Sequence, residues 1–188
     1  MSPQRNCTFS PTEIDWVILD MDGTLLDLHF DDQVWNHQLP SQYAKQEGIT
    51  LEEAKEKISS MMDPIRGTLL WYCFDHWQLL TNIDLCAIEN EVYNLVGPRP
   101  GAEDFLIRLS DYPATTVLAT NADRRSMERK LSHTGLDKYF GHIVSSHDFG
   151  FAKETNAFWS RLQSTLGFAN DKVLFIDDNH NVLRAAHE

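Results

Sequence analysis

The chain has 188 residues, of which 42% are hydrophobic and 23% charged, an ordinary globular balance that excludes disordered, collagen-like and low-complexity proteins. Sixteen basic residues face 28 acidic ones, and the net charge of −12 argues against a surface for nucleic acid or anionic membrane. The length suits one domain or one domain with an inserted subdomain, and no run reaches the roughly 20 apolar residues of a membrane span.

Met1 to Pro11 are polar and lack an apolar stretch of signal-peptide length. Cys7, Cys73 and Cys86 match neither metal-site nor CxxC spacing, so reduced thiols in a cytoplasmic protein are expected. The first strand is Trp16-Val17-Ile18-Leu19, a short unalternating apolar run of the kind buried on both faces of a parallel sheet. About 95 residues then pass before the second such run, Thr116-Val117-Leu118-Ala119, far more than a simple crossover needs. That interval reads as helical. Thr50 and Glu53 form a capping box opening a helix toward Met61, and Leu85, Ile88, Val92 and Leu95 line one helical face ahead of Gly97-Pro98. Residues 28–97 are therefore expected to be an inserted helical subdomain, with 1–27 and 98–188 forming a sheet-centred core. Helical spacing follows at Met127, Leu131 and Leu136. A third strand is expected at His142-Ile143-Val144, a helix at Phe158, Leu162 and Leu166, and a fourth strand at Val173-Leu174-Phe175-Ile176. Strands alternating with helices imply an α/β fold built on right-handed crossovers.

The first strand runs directly into Asp20-Met21-Asp22-Gly23-Thr24. Two carboxylates two residues apart in extended chain face the same way, and at the carboxyl end of a parallel strand that direction is the ligand crevice. The fourth strand ends on a second pair, Asp177-Asp178. If those strands are neighbours, the carboxylates converge, and such a cluster needs a cation; hard oxygen ligands suit magnesium. Thr120-Asn121 ends the second strand and offers donors to an anion near a helix start. Lys153 follows the third strand, where a lysine can steady a nucleophilic carboxylate and neutralise phosphate. Singly, each is equally a turn, a cap or a surface group; together they are strand-end residues in a consistent order.

On these motifs the chain resembles the haloacid dehalogenase-like (HAD) hydrolase superfamily, through Asp20-x-Asp22-Gly23-Thr24, Thr120, Lys153 and Asp177-Asp178, with His133-Thr134-Gly135-Leu136 also similar. Within that superfamily it is similar to bacterial GMP/IMP nucleotidases, through Leu19 to Leu28, the stretch Trp71 to Trp77, Thr120-Asn121-Ala122 and Phe175 to Asp178. The resemblance implies a three-layer Rossmann-like parallel sheet with an α-helical cap over 28–97. It implies a magnesium-dependent phosphomonoester hydrolase acting on a nucleoside monophosphate, with Asp20 as nucleophile and Asp22 as general acid and base. Asp20, the Asp22 carbonyl and Asp178 would hold Mg2+, with Asp177 beside or within the shell. Thr120, Asn121 and Lys153 would hold the phosphoryl group.

Substrate choice would fall to the cap, where Arg66, Trp71 and Tyr72 are the candidates; aromatic residues at helical spacing are as readily core as base contacts. The cap carries 4 basic and 11 acidic residues, so capture of phosphate would fall to magnesium and Lys153. A sugar-phosphate or phosphoglycolate phosphatase would use the same core. From a different class, a receiver-like phospho-aspartate signalling domain also combines an acidic cluster with Thr and Lys, without needing DxDGT or an insert. Such cores usually continue past this point with another strand, so the chain ending at Glu188 is expected to leave Val173–Ile176 as an exposed sheet edge.

Overall fold

Strands β1 (Trp16–Leu19), β2 (Thr115–Thr120), β3 (His142–Ser145) and β4 (Val173–Ile176) are all parallel and lie in the order β3-β2-β1-β4. The computed structural model describes residues 13–188, and Cys7 lies outside them. Each strand is an apolar run without alternation because each side chain has a layer to meet. Val17, Leu19 and Leu118 enter one hydrophobic cluster, whereas Ile18, Val117 and Ala119 enter another on the opposite face.

Helix α7 (Ala102–Leu109) and α8 (Arg124–Thr134) cover the first face through Ala102, Leu106, Met127 and Leu131. Helix α9 (Asn156–Leu166) covers the second through Phe158 and Leu162, four residues apart on one stripe. The result is three layers, as expected. The chain leaves β1 toward β2 and β3, then returns to β4 on the other side of β1. The carboxyl end of β1 is therefore the topological switch point, where open α/β sheets bind ligands. Helix α10 (His180–His187) follows β4, and β4 is a sheet-edge strand with half-buried side chains.

Between β1 and α7 the interval is helical. It comprises α1 (His29–Asp32), α2 (Leu39–Glu47), α3 (Leu51–Met62), α4 (Leu69–Tyr72), α5 (Phe74–Thr81) and α6 (Leu85–Glu91). The Thr50–Glu53 capping box forms in both directions at the start of α3. A π-helical turn over Gln33–Gln38 joins α1 to α2. Pro40 lacks the N–H that would bond the Asn36 carbonyl in an α-helix, a local reason for the widened turn. The helix expected through Leu95 stops at Glu91, and Tyr93–Leu95 continue as a 3-10 turn. There Tyr93 donates its hydroxyl to the Arg129 carbonyl at 2.8 Å, a tertiary bond that no local periodicity contains. The chain enters and leaves the insert side by side, with Leu26 bridged to Pro98 and the Asp27 N–H donating to the Gly97 carbonyl at 3.1 Å.

Candidate active site

The four strand ends meet at one place. Leu19 pairs with Ile176, so Asp20 and Asp177 follow at the same height, and the Asp20 N–H donates to the Ile176 carbonyl at 3.0 Å. Lys153, only 2% exposed, reaches across from beyond β3. Its ammonium donates to Asp20 Oδ1 at 2.5 Å, Asp177 Oδ2 at 2.7 Å and the Ala119 carbonyl at 2.8 Å. A buried ammonium is tolerated only when so paired, and the pairing raises its pKa against the effect of burial. Lys153 is itself anchored, its N–H donating to Asn121 Oδ1 and its carbonyl accepting from Trp159 Nε1.

Asp20 is strongly altered by this setting. Burial raises its pKa, Lys153 opposes the rise and Asp177 adds to it, leaving it pushed up to about 7. Its Oδ2 accepts no hydrogen bond among the described residues, which leaves one oxygen available to a ligand. Carboxylate oxygens of Asp20, Asp177 and Asp178 lie within 4.8 Å of one another. Burial and the neighbouring Asp177 likewise push Asp178 upward. Hard oxygen donors that raise one another's pKa fit a divalent cation such as magnesium, which would relieve that repulsion. Both Asp177 oxygens already accept, from Lys153 and from the Asn179 N–H, so Asp20 and Asp178 are the freer donors.

Gly23 makes this arrangement possible. Its φ of 85° turns the loop sharply, with Leu25 and Leu26 N–H groups both donating to the Met21 carbonyl. A Cβ there would lie 2.3 Å from Asp178 Oδ2. Asp22 points elsewhere. Its side chain joins no group with Asp20, Asp177 and Asp178, and its Oδ1 instead accepts from the Lys130 ammonium at 2.8 Å. Thr120 ends β2 with its hydroxyl accepting from the Ala122 N–H at 3.1 Å. Asn121 spends its side chain within the protein, accepting from Lys153 N and donating to Glu154 Oε2 at 2.8 Å.

A cavity of about 270 Å³ opens beside these groups, with Asp20, Asp22, Thr120, Asn121, Lys153, Asp177 and Asp178 all on its wall. The insert supplies the facing wall through Leu28, Asp31, Trp35, Trp71, Tyr72, Phe74 and Glu89. Of the three expected specificity residues, Trp71 and Tyr72 line it and Arg66 does not. Arg66 is exposed, pairs with Asp63 at 3.2 Å and lies 4.7 Å over the Trp71 ring. Tyr72 donates to Glu154 Oε1 at 2.9 Å, tying the insert to the residue after Lys153, and burial with Glu154 nearby keeps its phenol protonated. The Phe74 N–H donates to Asp123 and Arg125 pairs with Asp75, so the insert is seated on the sheet-bearing part at several points.

Sequence reasoning missed Asp31, Glu89, Ser126 and Lys130. For Lys130 a signal existed: it falls beside Leu131 and three residues after Met127, a charged residue inside an apolar helical stripe. Asp31 carried none, because a carboxylate in a first helical turn is ordinary.

A parallel sheet with an acid pair after β1, a lysine after β3, a second acid pair after β4 and a helical insert between β1 and β2 defines a class of hydrolase. Residues 14–188 match the family model of haloacid dehalogenase-like hydrolases, and the chain belongs to that family. It is 36% identical over 174 residues to the GMP/IMP nucleotidase YrfG of Escherichia coli strain K12, covering 93% of this chain and 78% of that one. Among solved structures it is similar to a HAD phosphatase from Thermococcus onnurineus, with a TM-score of 0.78 and 19% identity over 92% of this chain and 83% of the other. The HAD-hydrolase YfnB of Bacillus subtilis, solved bound to magnesium, shares the fold at a TM-score of 0.57 and 18% identity, covering 92% and 84%.

Proposed function

We propose that the protein is a magnesium-dependent phosphomonoester hydrolase that works through an aspartyl-phosphate on Asp20, with a purine nucleoside 5′-monophosphate as substrate. The observation that carries this reading is the Asp20 carboxylate on the cavity wall at the switch point, with one oxygen held by Lys153 and the other accepting no hydrogen bond among the described residues. The similarity to a GMP/IMP nucleotidase supports the substrate class, and the magnesium-bound YfnB neighbour supports the metal.

Magnesium, held by Asp20, the Asp22 carbonyl and Asp178 with Asp177 beside them, would offset charge developing on the transferred phosphoryl oxygens. The Asp20 oxygen left free attacks phosphorus while Lys153 keeps the carboxylate oriented and balances phosphate charge. Asp22, whose side chain lies outside that cluster, would pass a proton to the departing alcohol and later take one from the hydrolytic water. The Thr120 hydroxyl and the backbone of Thr120-Asn121 receive phosphoryl oxygens. The Asn121 side chain acts by holding Lys153 and Glu154.

We read residues 28–97 as a cap whose helices choose the substrate, with Trp71 and Tyr72 on the wall facing Asp20. No helix among the described residues is long and apolar enough to cross a membrane, and the unpaired Cys73 and Cys86 suit a reducing cytoplasm. One observation favours a second reading. A cavity of about 270 Å³ is at the small end for a ligand site, which suits a sugar phosphate or phosphoglycolate unless the cap lifts. A phosphate-release screen over nucleoside monophosphates, sugar phosphates and phosphoglycolate, with and without magnesium, separates the two. Asp20→Asn is expected to abolish release; undiminished release in that variant overturns the mechanism.

A further inference from the structure

The Lys130 ammonium has no part in the chemistry described above, yet it is buried at the cavity wall. Helix α8 carries it on the same inner face as Met127 and Leu131, at 2% exposure. An ammonium in that position costs several kcal/mol unless each donor finds an acceptor. Each does. Besides Asp22 Oδ1 at 2.8 Å, it donates to Asp31 Oδ1 at 2.7 Å and Oδ2 at 2.9 Å, with the Phe30 ring 5.0 Å away.

Two consequences follow from that geometry. With three donors spent on protein carboxylates, Lys130 has none left for a phosphoryl oxygen, so it is not a phosphate-binding group. Asp22 has one oxygen fixed and one, Oδ2, without a hydrogen-bond donor among the described residues. The other partners of Lys130 belong to the insert, because Asp31 and Phe30 both lie on α1, just beyond the paired linkers at Leu26 and Pro98.

We propose that Lys130 is a positioning residue for Asp22, and that Asp31 makes this positioning depend on the seat of the insert. Lys130 ties down Oδ1, so that Oδ2 is the oxygen that exchanges the proton. In the first half-reaction the Asp20–phosphorus bond forms and the ester bond breaks; the ester electron pair goes to the departing oxygen, which takes the proton from Asp22 Oδ2. In the second, water oxygen bonds to phosphorus, the Asp20–phosphorus bond breaks, and the water proton passes to Oδ2. If the insert moves away, Asp31 leaves Lys130 and Asp22 loses its alignment, so proton transfer is confined to the closed arrangement. The proposal rests on the reading of Asp22 as the proton-transfer group.

The test uses Lys130→Met and Asp31→Asn in the full chain, with rapid-quench measurement of alcohol or phenol release in the first turnover, the half-reaction before water enters, on two esters. One is the alkyl ester that the wild type hydrolyses best, whose alcohol needs a proton to depart. The other is 4-nitrophenyl phosphate, whose phenolate leaves without one. Lys130→Met is expected to slow the alkyl ester about 100-fold while changing the 4-nitrophenyl ester less than about threefold. Asp31→Asn, which keeps the ammonium and its bond to Asp22, should show the same selectivity with a smaller loss. It carries the test if Lys130→Met does not fold. Equal losses on both esters, or no loss on either, overturn the positioning role. A wild type that turns over neither ester overturns the phosphatase reading and this proposal together, a result distinct from failure of the ester selectivity alone.

Discussion

Replacing Gly23 with alanine puts a methyl group where the turn after β1 meets the acidic cluster. Two costs can be separated. The residue sits at φ 85°, where an L side chain costs about 1–2 kcal/mol, and in a chain of this size each kcal/mol lowers Tm by about 2–4 °C. The new Cβ would also lie 2.3 Å from Asp178 Oδ2 and 2.7 Å from its Cγ, far inside the 3.4 Å of ordinary contact. Asp178 is exposed, so its carboxylate can swing away by about 1 Å with little loss of stability, and the damage falls on the site; a misplacement of that size costs about 100-fold in rate. Thermal unfolding and a magnesium titration of phosphate release read the two costs independently. Gly23→Ala is expected to lower Tm and activity together and to raise the magnesium requirement. Asp178→Asn should reproduce the activity and magnesium effects with Tm unchanged. Activity in Gly23→Ala within about threefold of wild type, at a lowered Tm, would refute the argument that Asp178 must stand where Gly23 admits it.

Two further outcomes follow from the contacts that seat the insert. Burial opposes ionisation of Asp123, but hydrogen bonds from the Arg125 side chain and from the Phe74 and Arg125 N–H groups outweigh it and depress its pKa. A depressed carboxyl stabilises the fold above its unfolded pKa of about 3.9 and loses that contribution as pH falls through the folded value. Asp123→Ala should therefore cost about 1–2 kcal/mol in urea unfolding at pH 7 and clearly less at pH 3; an equal loss at both would contradict the assignment. Tyr72→Phe removes the bond to Glu154, worth about 1 kcal/mol, and should raise KM about fivefold with kcat little changed. An unchanged KM would mean that the Tyr72–Glu154 bond does not help to seat the insert.

Local sequence carried most of the fold because each of its signals is short-range. The unalternating run at Trp16–Leu19 requires cover on both faces, and the Thr50–Glu53 box satisfies helix-end donors within four residues. The helix expected through Leu95 ended early because Tyr93 is held by the Arg129 carbonyl, a partner 36 residues away. Arg66 is the only arginine of the insert, a type equally suited to a substrate contact or the surface; it is exposed, pairs with Asp63 and does not line the cavity.

The sequence by itself determined which residues stand at strand ends: Asp20, Asp22, Thr120, Lys153, Asp177 and Asp178 are marked by the apolar runs before them and by their chemical type. Tertiary structure alone decided what surrounds each of those residues. Asp20 and Asp22 are two residues apart, yet only the packing of Lys153 beside one and Lys130 beside the other gives them different surroundings. The reason is physical. A strand dictates the direction of its own side chains, whereas the charge, burial and donors that meet a carboxylate come from elements 108 and 133 residues away, brought there by the sheet order and the seat of the insert.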